Sequence, residues 1–322
     1  MRAIRIPAHG GPEVLEAAEA DRPTPQSGEL LVEVSAAGVN FIDTYQRSGL
    51  YSVPLPFTPG VEGAGTVREV GPDVTGFAPG DRIAWAMSPG GYAEQAVVPA
   101  RGAVHVPDGV EDRTAAAAML QGMTAHFLVD ATHPIRPGET ALVHAAAGGV
   151  GLLLTQLIKA RGGNVIGTVS TDEKERLARA AGADEIIRYT EADVAEEVRD
   201  LTDGRGVDVA YDGVGKDTFD GSLASLRPRG TLALFGASSG PVPPVDPQRL
   251  NSGGSLFLTR PSLAHHILDR EELDRRAREI FQAVRAGELD VRIGGTYPLD
   301  QARQAHEDLE GRRSTGKLLL LP

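Results

Sequence analysis

A run of small residues, His144–Gly151 (HAAAGGVG), constrains more than any other feature what this chain can fold into. Before it, Thr140–His144 is a short apolar run typical of a buried strand. After it, Val150–Arg161 carries apolar residues at helical spacing. A strand, a glycine-rich turn and a helix in succession are the context in which a dinucleotide-binding fingerprint occurs. The run therefore predicts a βαβ unit with a phosphate-binding turn.

The glycines of this run have separate tasks in such a turn. Without a Cβ, Gly148 and Gly149 allow backbone N–H groups, including that of Val150, to approach a pyrophosphate at the positive end of the helix. Gly151 allows the helix to pack closely on the strand. Ala146 stands where the fingerprint usually has its first glycine, so the run taken alone also fits a plain tight turn.

Beyond this turn the apolar pattern alternates between strands and helices. Strand-like runs lie at Asn164–Val169, Glu185–Ile187, Val207–Tyr211 and Gly230–Phe235, with helical patterns at Asp172–Ala181 and Val194–Leu201. Continuous apolar strands separated by helices are typical of a parallel sheet covered on both faces, which is a doubly wound α/β domain. The segment before Pro107 has short alternating strands and Gly/Pro turns instead, and it indicates a compact β-barrel-like domain.

The choice of cofactor depends on the end of the second strand, about 20 residues after the glycines. That strand is followed by Ser170 and not by an acid, and Asp172 comes later, where capping a helix is its ordinary role. Lys174, one of only four lysines, adds a positive charge, although it also fits a solvated helix face. A hydroxyl and a cation suit a 2′-phosphate better than a free ribose diol. The expected cofactor is therefore NADPH.

Composition narrows the possible classes of function. The chain has 322 residues, a net charge of −12 and no cysteine. Such an acidic surface repels phosphate backbones and anionic lipid, so neither nucleic acid nor a membrane is expected as a partner. Disulfides, thiolate metal sites and cysteine nucleophiles are excluded. The start of the chain lacks the apolar core of a signal peptide, and a cytoplasmic location is expected.

Several short motifs resemble those of one enzyme family, and they occur in order along essentially the whole chain. They are Ala37–Tyr45, Pro59–Gly65, Gly80–Ile83, Gly90–Glu94, Ala145–Gly151, Tyr211–Gly215 and Thr259–Leu263. In these motifs the chain resembles the zinc-independent NADPH:quinone oxidoreductases of the medium-chain dehydrogenase/reductase superfamily, the group that includes ζ-crystallin. The resemblance is more specific than the glycine-rich run by itself.

The resemblance implies a fold of two domains. A GroES-like β-barrel catalytic domain would comprise residues 1–122 and 264–322, because in this family the chain returns to the first domain for its tail. A Rossmann domain that binds NADPH would comprise residues 123–263. The cleft between them would hold nicotinamide and a quinone. No metal is expected, since Asn40 and Val61 stand where the zinc-dependent branch has Cys and His, and Glu62 is expected to be a buried structural partner.

The resemblance also implies roles for individual side chains. Asn40, Tyr45 and Tyr51 would line the substrate site as the catalytic group, and Asn40 would also contact the cofactor. The other expected cofactor contacts are Thr124, Gly148, Gly149, Val150, Ser170, Lys174, Tyr189, Phe235, Gly236, Ser238, Thr259 and Lys317. Ordinary structural roles remain open for several of them, such as a turn-stabilising Asn at position 40 and a loop aromatic at position 51.

The sequence is also compatible with two other functions. An NADPH-dependent enal or enoyl reductase would share the scaffold and would need a proton donor for the carbon next to the reduced bond. A non-enzymatic NADPH-binding structural or RNA-binding protein is disfavoured by the net charge of −12. The apolar run Ser255–Thr259 is expected to be the edge strand of the Rossmann sheet. In the family this strand pairs with its twin, which implies a homodimer.

Overall fold

The computed structural model describes residues 1–322. It contains fifteen strands: β1 (Arg2–Arg5), β2 (Glu16–Glu19), β3 (Glu29–Val39), β4 (Glu62–Val70), β5 (Arg82–Ala86), β6 (Gln95–Pro99), β7 (Ala103–His105), β8 (Thr140–Val143), β9 (Asn164–Val169), β10 (Glu185–Arg188), β11 (Val207–Asp212), β12 (Leu226–Leu234), β13 (Phe257–Thr259), β14 (Ile293–Pro298) and β15 (Lys317–Leu321). It contains nine α-helices: α1 (Phe41–Arg47), α2 (Asp112–Phe127), α3 (Gly149–Ala160), α4 (Asp172–Ala180), α5 (Val194–Leu201), α6 (Phe219–Ser225), α7 (Gln248–Ser252), α8 (Arg270–Ala286) and α9 (Ala302–Glu310).

The chain divides into two compact units. The first unit comprises Met1–Met123 and His266–Pro322, and the second comprises Thr124–His265. The tail belongs to the first unit because β15 pairs antiparallel with β3, with Leu318 opposite Val39.

The first unit is built on one large sheet. Its strand order is β14-β15-β3-β4-β5-β7, and β6 also pairs with β3. All of these pairs are antiparallel except β14 with β15. The eleven-residue β3 is the central strand, and its apolar side chains pack with those of its neighbours and of α9 in one core. Buried members of this core include Leu30, Val32, Ile83, Trp85 and Leu320. A compact β-barrel-like first unit was predicted from its short strands and turns, and the structure confirms that this unit is built mainly of β-strands.

The second unit contains a six-stranded parallel sheet in the order β10-β9-β8-β11-β12-β13. The chain therefore starts in the middle with β8, winds outward to β10, and returns to the other side at β11. This is the doubly wound order, and ligands in such sheets bind beyond the carboxyl ends of the strands where the order reverses. The predicted parallel sheet is confirmed. The predicted edge strand at Ser255–Thr259 is also present, but it is shorter, because only Phe257–Thr259 pairs with β12.

Some elements had no counterpart in the sequence-based expectations. They include the ribbon of β1 with β2, the strand β14 and the helices α1, α6, α7 and α9. Helix α1 has seven residues, too few for a helical period to stand out, and it is stabilised by its cap. Asn40 and Asp43 have the spacing of a capping box: the Asp43 carboxylate accepts the backbone N–H of Asn40 at 2.9 Å, and the backbone N–H of Asp43 donates to the carbonyl oxygen of Asn40 at 3.0 Å. This spacing was the signal that could have identified the helix.

One buried carboxylate ties three strands of the second unit together. Asp208 on β11 pairs with Arg205 at 2.6 Å and with Arg227 on β12 at 2.6 Å, and it accepts the backbone N–H of Thr140 on β8 at 2.9 Å. Burial by itself raises the pKa of the Asp208 carboxyl. The hydrogen bonds from the two guanidinium groups and the backbone outweigh burial and lower that pKa to about 2.

Substitution Asp208→Asn is expected to lower the free energy of unfolding by about 2 kcal/mol at pH 7. Because the folded-state pKa is depressed, this contribution is fully present above the unfolded pKa of about 4 and is lost as the pH falls towards 2. Urea unfolding at pH 7, 4 and 3 would measure the difference. As a control, Asp220→Asn removes a carboxylate from an exposed pair with Arg249 and should change stability by less than about 0.5 kcal/mol. A difference for Asp208→Asn that does not shrink below pH 4 would contradict this account.

Candidate functional site

The glycine-rich turn joins β8 to α3 at the carboxyl edge of the second unit's sheet. Gly148 is the N-cap of α3, and no side chain caps the helix. The first backbone N–H groups of an α-helix have no partner within the helix. Those of Gly149, Val150 and Gly151 are therefore offered at the positive end of a twelve-residue helix. This arrangement can bind an anion such as a phosphate group.

Backbone packing explains why the turn needs glycine at its end. A Cβ placed on Gly151 would lie 2.3 Å from the carbonyl oxygen of Ala145 and 2.8 Å from Cα of Ala146. Only glycine permits this close approach of the helix to the turn that follows the strand. Ala146 is fully buried. The residue in left-handed conformation is its neighbour Ala145, with φ of 51°.

The next two strand ends place Ser170 and Tyr189 side by side. β9 and β10 are parallel neighbours, with Arg188 opposite Val169. The backbone N–H of Tyr189 donates to the carbonyl oxygen of Val169 at 3.3 Å. Ser170 is half-buried and the Tyr189 side chain is 38% exposed. Ser170 and Tyr189 are the first residues after β9 and β10. In a doubly wound sheet, the ends of such strands face the adenosine group of a bound dinucleotide.

The start of α4 corrects one expectation. Thr171, and not Asp172, is the N-cap, and its hydroxyl accepts the backbone N–H of Lys174 at 3.3 Å. Asp172 instead contacts the guanidinium of Arg188. Thr171 is the N-cap because its extended backbone directs the side-chain hydroxyl towards the first turn of the helix. The carboxylate of Asp172 is engaged by Arg188, while Lys174 lies half-buried in the first turn.

The loops after β11 and β12 pack tightly on each other. The backbone N–H groups of Phe235 and Gly236 donate to the carbonyl oxygen of Asp212 at 2.8 and 3.3 Å, and that of Ser238 donates to Gly213 at 3.3 Å. A Cβ on Gly236 would lie 2.3 Å from the carbonyl oxygen of Gly213. The predicted residues Phe235, Gly236 and Ser238 thus lie on the same sheet edge as the glycine-rich turn.

Thr259 and Thr124 are placed differently within the second unit. Thr259 is the last residue of the edge strand β13, opposite Ala233. Thr124 lies inside α2 and is buried. It lies near the end of a sixteen-residue helix and not at the end of a strand of the parallel sheet.

A buried network of four polar side chains at this edge was not predicted from the sequence. Asp212, at the end of β11, accepts the hydroxyl of Ser222 on α6 at 2.8 Å. Ser222 also contacts His144 Nε2 at 2.9 Å, and His144 Nδ1 contacts the hydroxyl of Thr168 on β9 at 3.2 Å. These four residues come from four separate parts of the chain, namely β11, α6, the turn after β8 and β9, so their association has no local signal in the sequence.

In the first unit, Asn40, Glu62 and Lys317 form a buried cluster. Lys317 Nζ donates to Asn40 Oδ1 at 2.7 Å and also contacts Glu62, while Asn40 Nδ2 donates to Glu62 Oε2 at 2.8 Å. The other carboxylate oxygen of Glu62 accepts the backbone N–H of Leu120 at 2.5 Å. Glu62 is therefore a buried structural partner, as predicted. A Cβ on Gly38 would lie 2.1 Å from Glu62, so glycine makes room for the cluster.

The two tyrosines expected at the substrate site lie in contact. The ring centroids of Tyr45 and Tyr51 are 5.3 Å apart with an edge-to-face angle of 68°. The backbone N–H of Tyr51 also donates to the carbonyl oxygen of Tyr45 at 3.0 Å. Tyr45 lies on α1, whose N-cap is Asn40. The structure thus brings the three residues predicted as the catalytic group onto one helix and the loop that follows it.

A second buried hydrogen-bond network, which was also not predicted from the sequence, includes side chains of α1. Asp43 Oδ2 accepts the backbone N–H of Asn40 at 2.9 Å and the hydroxyl of Tyr92 at 3.1 Å. Arg47 can only donate, so His306 Nδ1 accepts from it at 3.0 Å and His306 Nε2–H donates to Tyr92 at 3.1 Å. Burial raises the pKa of Asp43 to about 7. Burial, with the neighbouring Arg47, lowers that of His306 to about 3.

In the 322 residues described, no group of three or more His, Asp or Glu side chains is arranged to hold a metal ion. No helix combines the length and the apolar character that crossing a membrane requires.

Two family models match the chain. The model described as alcohol dehydrogenase GroES-like domain matches residues 26–108, and the model described as zinc-binding dehydrogenase matches residues 149–282. These matches confirm the expected fold class of a GroES-like domain with a Rossmann-type parallel sheet.

Full-length relatives narrow the family further. A quinone oxidoreductase of Pseudomonas aeruginosa is 47% identical and covers 100% of this chain and 99% of its own length. A 2-haloacrylate reductase of a Burkholderia species is 42% identical, with 100% and 99% covered. The crystal structure of Escherichia coli quinone oxidoreductase complexed with NADPH has a TM-score of 0.98 at 44% identity and covers 100% of both chains. The chain therefore belongs to the quinone oxidoreductase family of the medium-chain dehydrogenases/reductases.

Proposed function

We propose that this protein reduces a quinone with NADPH and without zinc. The observation that carries the proposal is the carboxyl edge of the second unit's sheet. An uncapped helix N-terminus at Gly148 and Gly149 lies in a fold whose full-length relatives include quinone oxidoreductases. Ser170 and Tyr189 follow the adjacent strands of the same edge.

The residues of this edge fit a dinucleotide with a 2′-phosphate. The N-terminus of α3 provides backbone N–H groups for the pyrophosphate. No acid follows β9 directly, and the carboxylate of Asp172 is engaged by Arg188. Lys174 provides a cation in the first turn of α4, close in sequence to the hydroxyl of Ser170. The NADPH complex of the Escherichia coli relative supports the same choice of cofactor.

The proposal that zinc is not involved rests on the donor atoms available. One matching family model is described as zinc-binding, but this chain has no cysteine and has Val61 and Asn40 at two positions that bind zinc in the zinc-dependent branch. Valine has no donor atom. The carboxamide of Asn40 is held by Glu62 and Lys317. Since zinc sites in proteins use thiolate, imidazole and carboxylate ligands, the residues present do not form such a site.

The protein's own contribution to the reaction is then positioning. When bound, the nicotinamide supplies the hydride, so the protein has to orient the reacting groups and exclude water. Asn40 is buried and both polar atoms of its amide are engaged, by Glu62 and Lys317, so a contact with a ribose or carboxamide would use the second lone pair of its Oδ1. The edge-to-face pair of Tyr45 and Tyr51 offers an aromatic surface for a flat quinone. A tyrosine hydroxyl or water would deliver the proton to the product.

Reduction of an activated carbon–carbon double bond is the second candidate. The 2-haloacrylate reductase from Burkholderia, at 42% identity over the whole chain, supports it. Such a reaction needs a proton at the carbon next to the reduced one, which Tyr45 or Tyr51 could supply. A quinone is already electrophilic and becomes aromatic on reduction, so it depends less on a placed acid.

We also propose a homodimer formed through β13. Phe257 on this edge strand is 62% exposed, and the strand has a free edge because it pairs only with β12. Exposed apolar edge strands tend to pair with another chain. A cytoplasmic location and the lack of a nucleic-acid partner stay predictions from the sequence.

The substrate proposal is tested by turnover with NADPH. We expect 1,4-benzoquinone and 9,10-phenanthrenequinone to be reduced at higher kcat/KM than a 2-enal, a 2-haloacrylate or an enoyl thioester. The rates should be the same after dialysis against a chelator, since no zinc is proposed. Higher kcat/KM with the alkenes would favour the second candidate. Loss of activity on dialysis, restored by zinc, would contradict the metal-free mechanism.

The cofactor proposal predicts a selective effect of Lys174→Gln. Loss of a cation beside a 2′-phosphate should lower kcat/KM for NADPH by about ten-fold or more and leave that for NADH within about two-fold. Lys159→Gln is the matched control, because Lys159 pairs with Asp184 near the end of α3 remote from the glycine-rich turn. Equal losses with NADPH and NADH would show that Lys174 does not recognise the 2′-phosphate.

The dimer proposal predicts that Phe257→Lys yields a monomer. Placing charges on both copies of a pairing edge strand disfavours their association. Analytical ultracentrifugation of the full-length chain would measure the mass. Leu268→Lys, at a position that is 80% exposed in the first unit, is the matched control and should stay dimeric. A monomeric unsubstituted protein, or a dimeric Phe257→Lys variant, would refute the proposed interface.

A further inference from the structure

Ala145 has an unusual backbone conformation in the glycine-rich turn. Its φ of 51° lies in the left-handed region, which residues with a Cβ adopt at a cost. The same residue determines the shape of the turn. Its carbonyl oxygen accepts the backbone N–H of Gly148 at 2.8 Å and faces Gly151 so closely that a Cβ there would lie at 2.3 Å. Something in the fold must therefore hold Ala145 in this conformation.

The neighbouring strand provides a contact that does so. The backbone N–H of Ala145 donates to the hydroxyl oxygen of Thr168 at 3.3 Å, and the backbone N–H of Ala146 donates to the carbonyl oxygen of Thr168 at 3.0 Å. Thr168 is almost completely buried on β9. Its side chain and backbone thus accept from two successive residues of the turn.

Counting protons shows that Thr168 is the end of a directional chain. Ser222 has one hydroxyl proton and donates it to the carboxylate of Asp212, so its oxygen accepts from His144 Nε2–H. A neutral imidazole has one N–H, so His144 Nδ1 accepts the hydroxyl proton of Thr168. The Thr168 oxygen is then left to accept from Ala145. We call Asp212, Ser222, His144 and Thr168 the polar chain.

Burial supports this assignment. All four side chains of the polar chain are buried, and burial lowers the pKa of His144, with the nearby Asp212 acting weakly in the opposite sense. A neutral imidazole is what acceptance at Nδ1 requires. Asp212 is itself fixed by the backbone N–H groups of Val214 and Gly215 at 2.8 and 3.0 Å. The polar chain therefore starts from an anchored carboxylate and ends at the strained residue.

We infer that the polar chain holds Ala145 in the left-handed conformation and thereby positions the glycine-rich turn for the cofactor's phosphates. In this role the polar chain replaces the conformational freedom that a glycine at position 145 would have. His144 and Thr168 are positioning residues, because they act through the backbone of the turn. The inference rests on the proposed binding of NADPH at this turn.

The test is whether glycine at position 145 makes the polar chain unnecessary. Thr168→Val keeps the shape of the side chain and removes the hydroxyl, and we expect it to weaken NADPH binding about ten-fold. Adding Ala145→Gly should restore binding to within about three-fold, because glycine adopts the left-handed conformation without support. In the otherwise unchanged protein Ala145→Gly should improve binding by less than about two-fold. Fluorescence titration with NADPH measures all four dissociation constants.

A matched pair of variants tests the far end of the polar chain. Ser222 and Ser225 are both fully buried on α6, but Ser225 donates only to the backbone carbonyl of Gly221. Ser222→Ala should weaken NADPH binding and be rescued by Ala145→Gly. Ser225→Ala should leave binding within about two-fold, with no rescue. Circular dichroism of each variant would confirm that it is folded.

Either of two binding results would overturn the inference. One is unchanged NADPH binding in the folded Thr168→Val variant, and the other is a double variant that binds as weakly as Thr168→Val alone. If the unsubstituted protein does not bind NADPH, the proposed function fails, and thermal unfolding without cofactor decides the inference separately. Ala145→Gly should then raise the melting temperature of Thr168→Val by about 2 °C more than that of the unsubstituted protein. Equal increases would refute the role of the polar chain.

Discussion

Parallel pairing of β8 with β9 on one side and β11 on the other is the constraint on which the second unit depends. Because these strands run in the same direction, their carboxyl ends lie along one edge of the sheet. The turn after β8, Thr168 near the end of β9, and Asp212 at the end of β11 become neighbours there. The uncapped N-terminus of α3 and the hydrogen bonds of its turn are both placed by this alignment.

A comparable constraint in the first unit is the burial of Glu62. Burying a carboxylate is costly unless it is paired and hydrogen-bonded, and Glu62 accepts from an ammonium, an amide and a backbone N–H. The ammonium comes from Lys317 on the last strand, which reaches Glu62 because β15 pairs with β3. The amide comes from Asn40, the N-cap of α1. The hydrogen bonds of the Glu62 carboxylate therefore connect the last strand to the helix that carries Tyr45.

The sequence predicted those features that depend on local pattern. Apolar runs located the strands of the parallel sheet, and the glycines of the turn indicated both its helix and the close approach at Gly151. The sequence did not predict contacts between residues that lie far apart along the chain. The contact of Lys317 with Asn40 joins positions 277 residues apart, and the polar chain joins residues of three elements and one turn. The cap of α4 was assigned to Asp172 and not to Thr171, because two adjacent polar residues can both cap and only the backbone angle decides between them.

The sequence by itself determined which functional groups are present. Glycines follow one strand, a hydroxyl and a lysine follow the next strand, the chain has no cysteine, and valine stands at position 61. These follow from residue type and spacing, which local physics converts into turns, strands and helix ends. The tertiary structure decided how that chemistry is held. It placed Asn40 between Glu62 and Lys317, and it brought Ser222, His144 and Thr168 to a left-handed alanine. Such contacts depend on strand order and register, because hydrogen bonds act over about 3 Å however far apart the partners are along the chain.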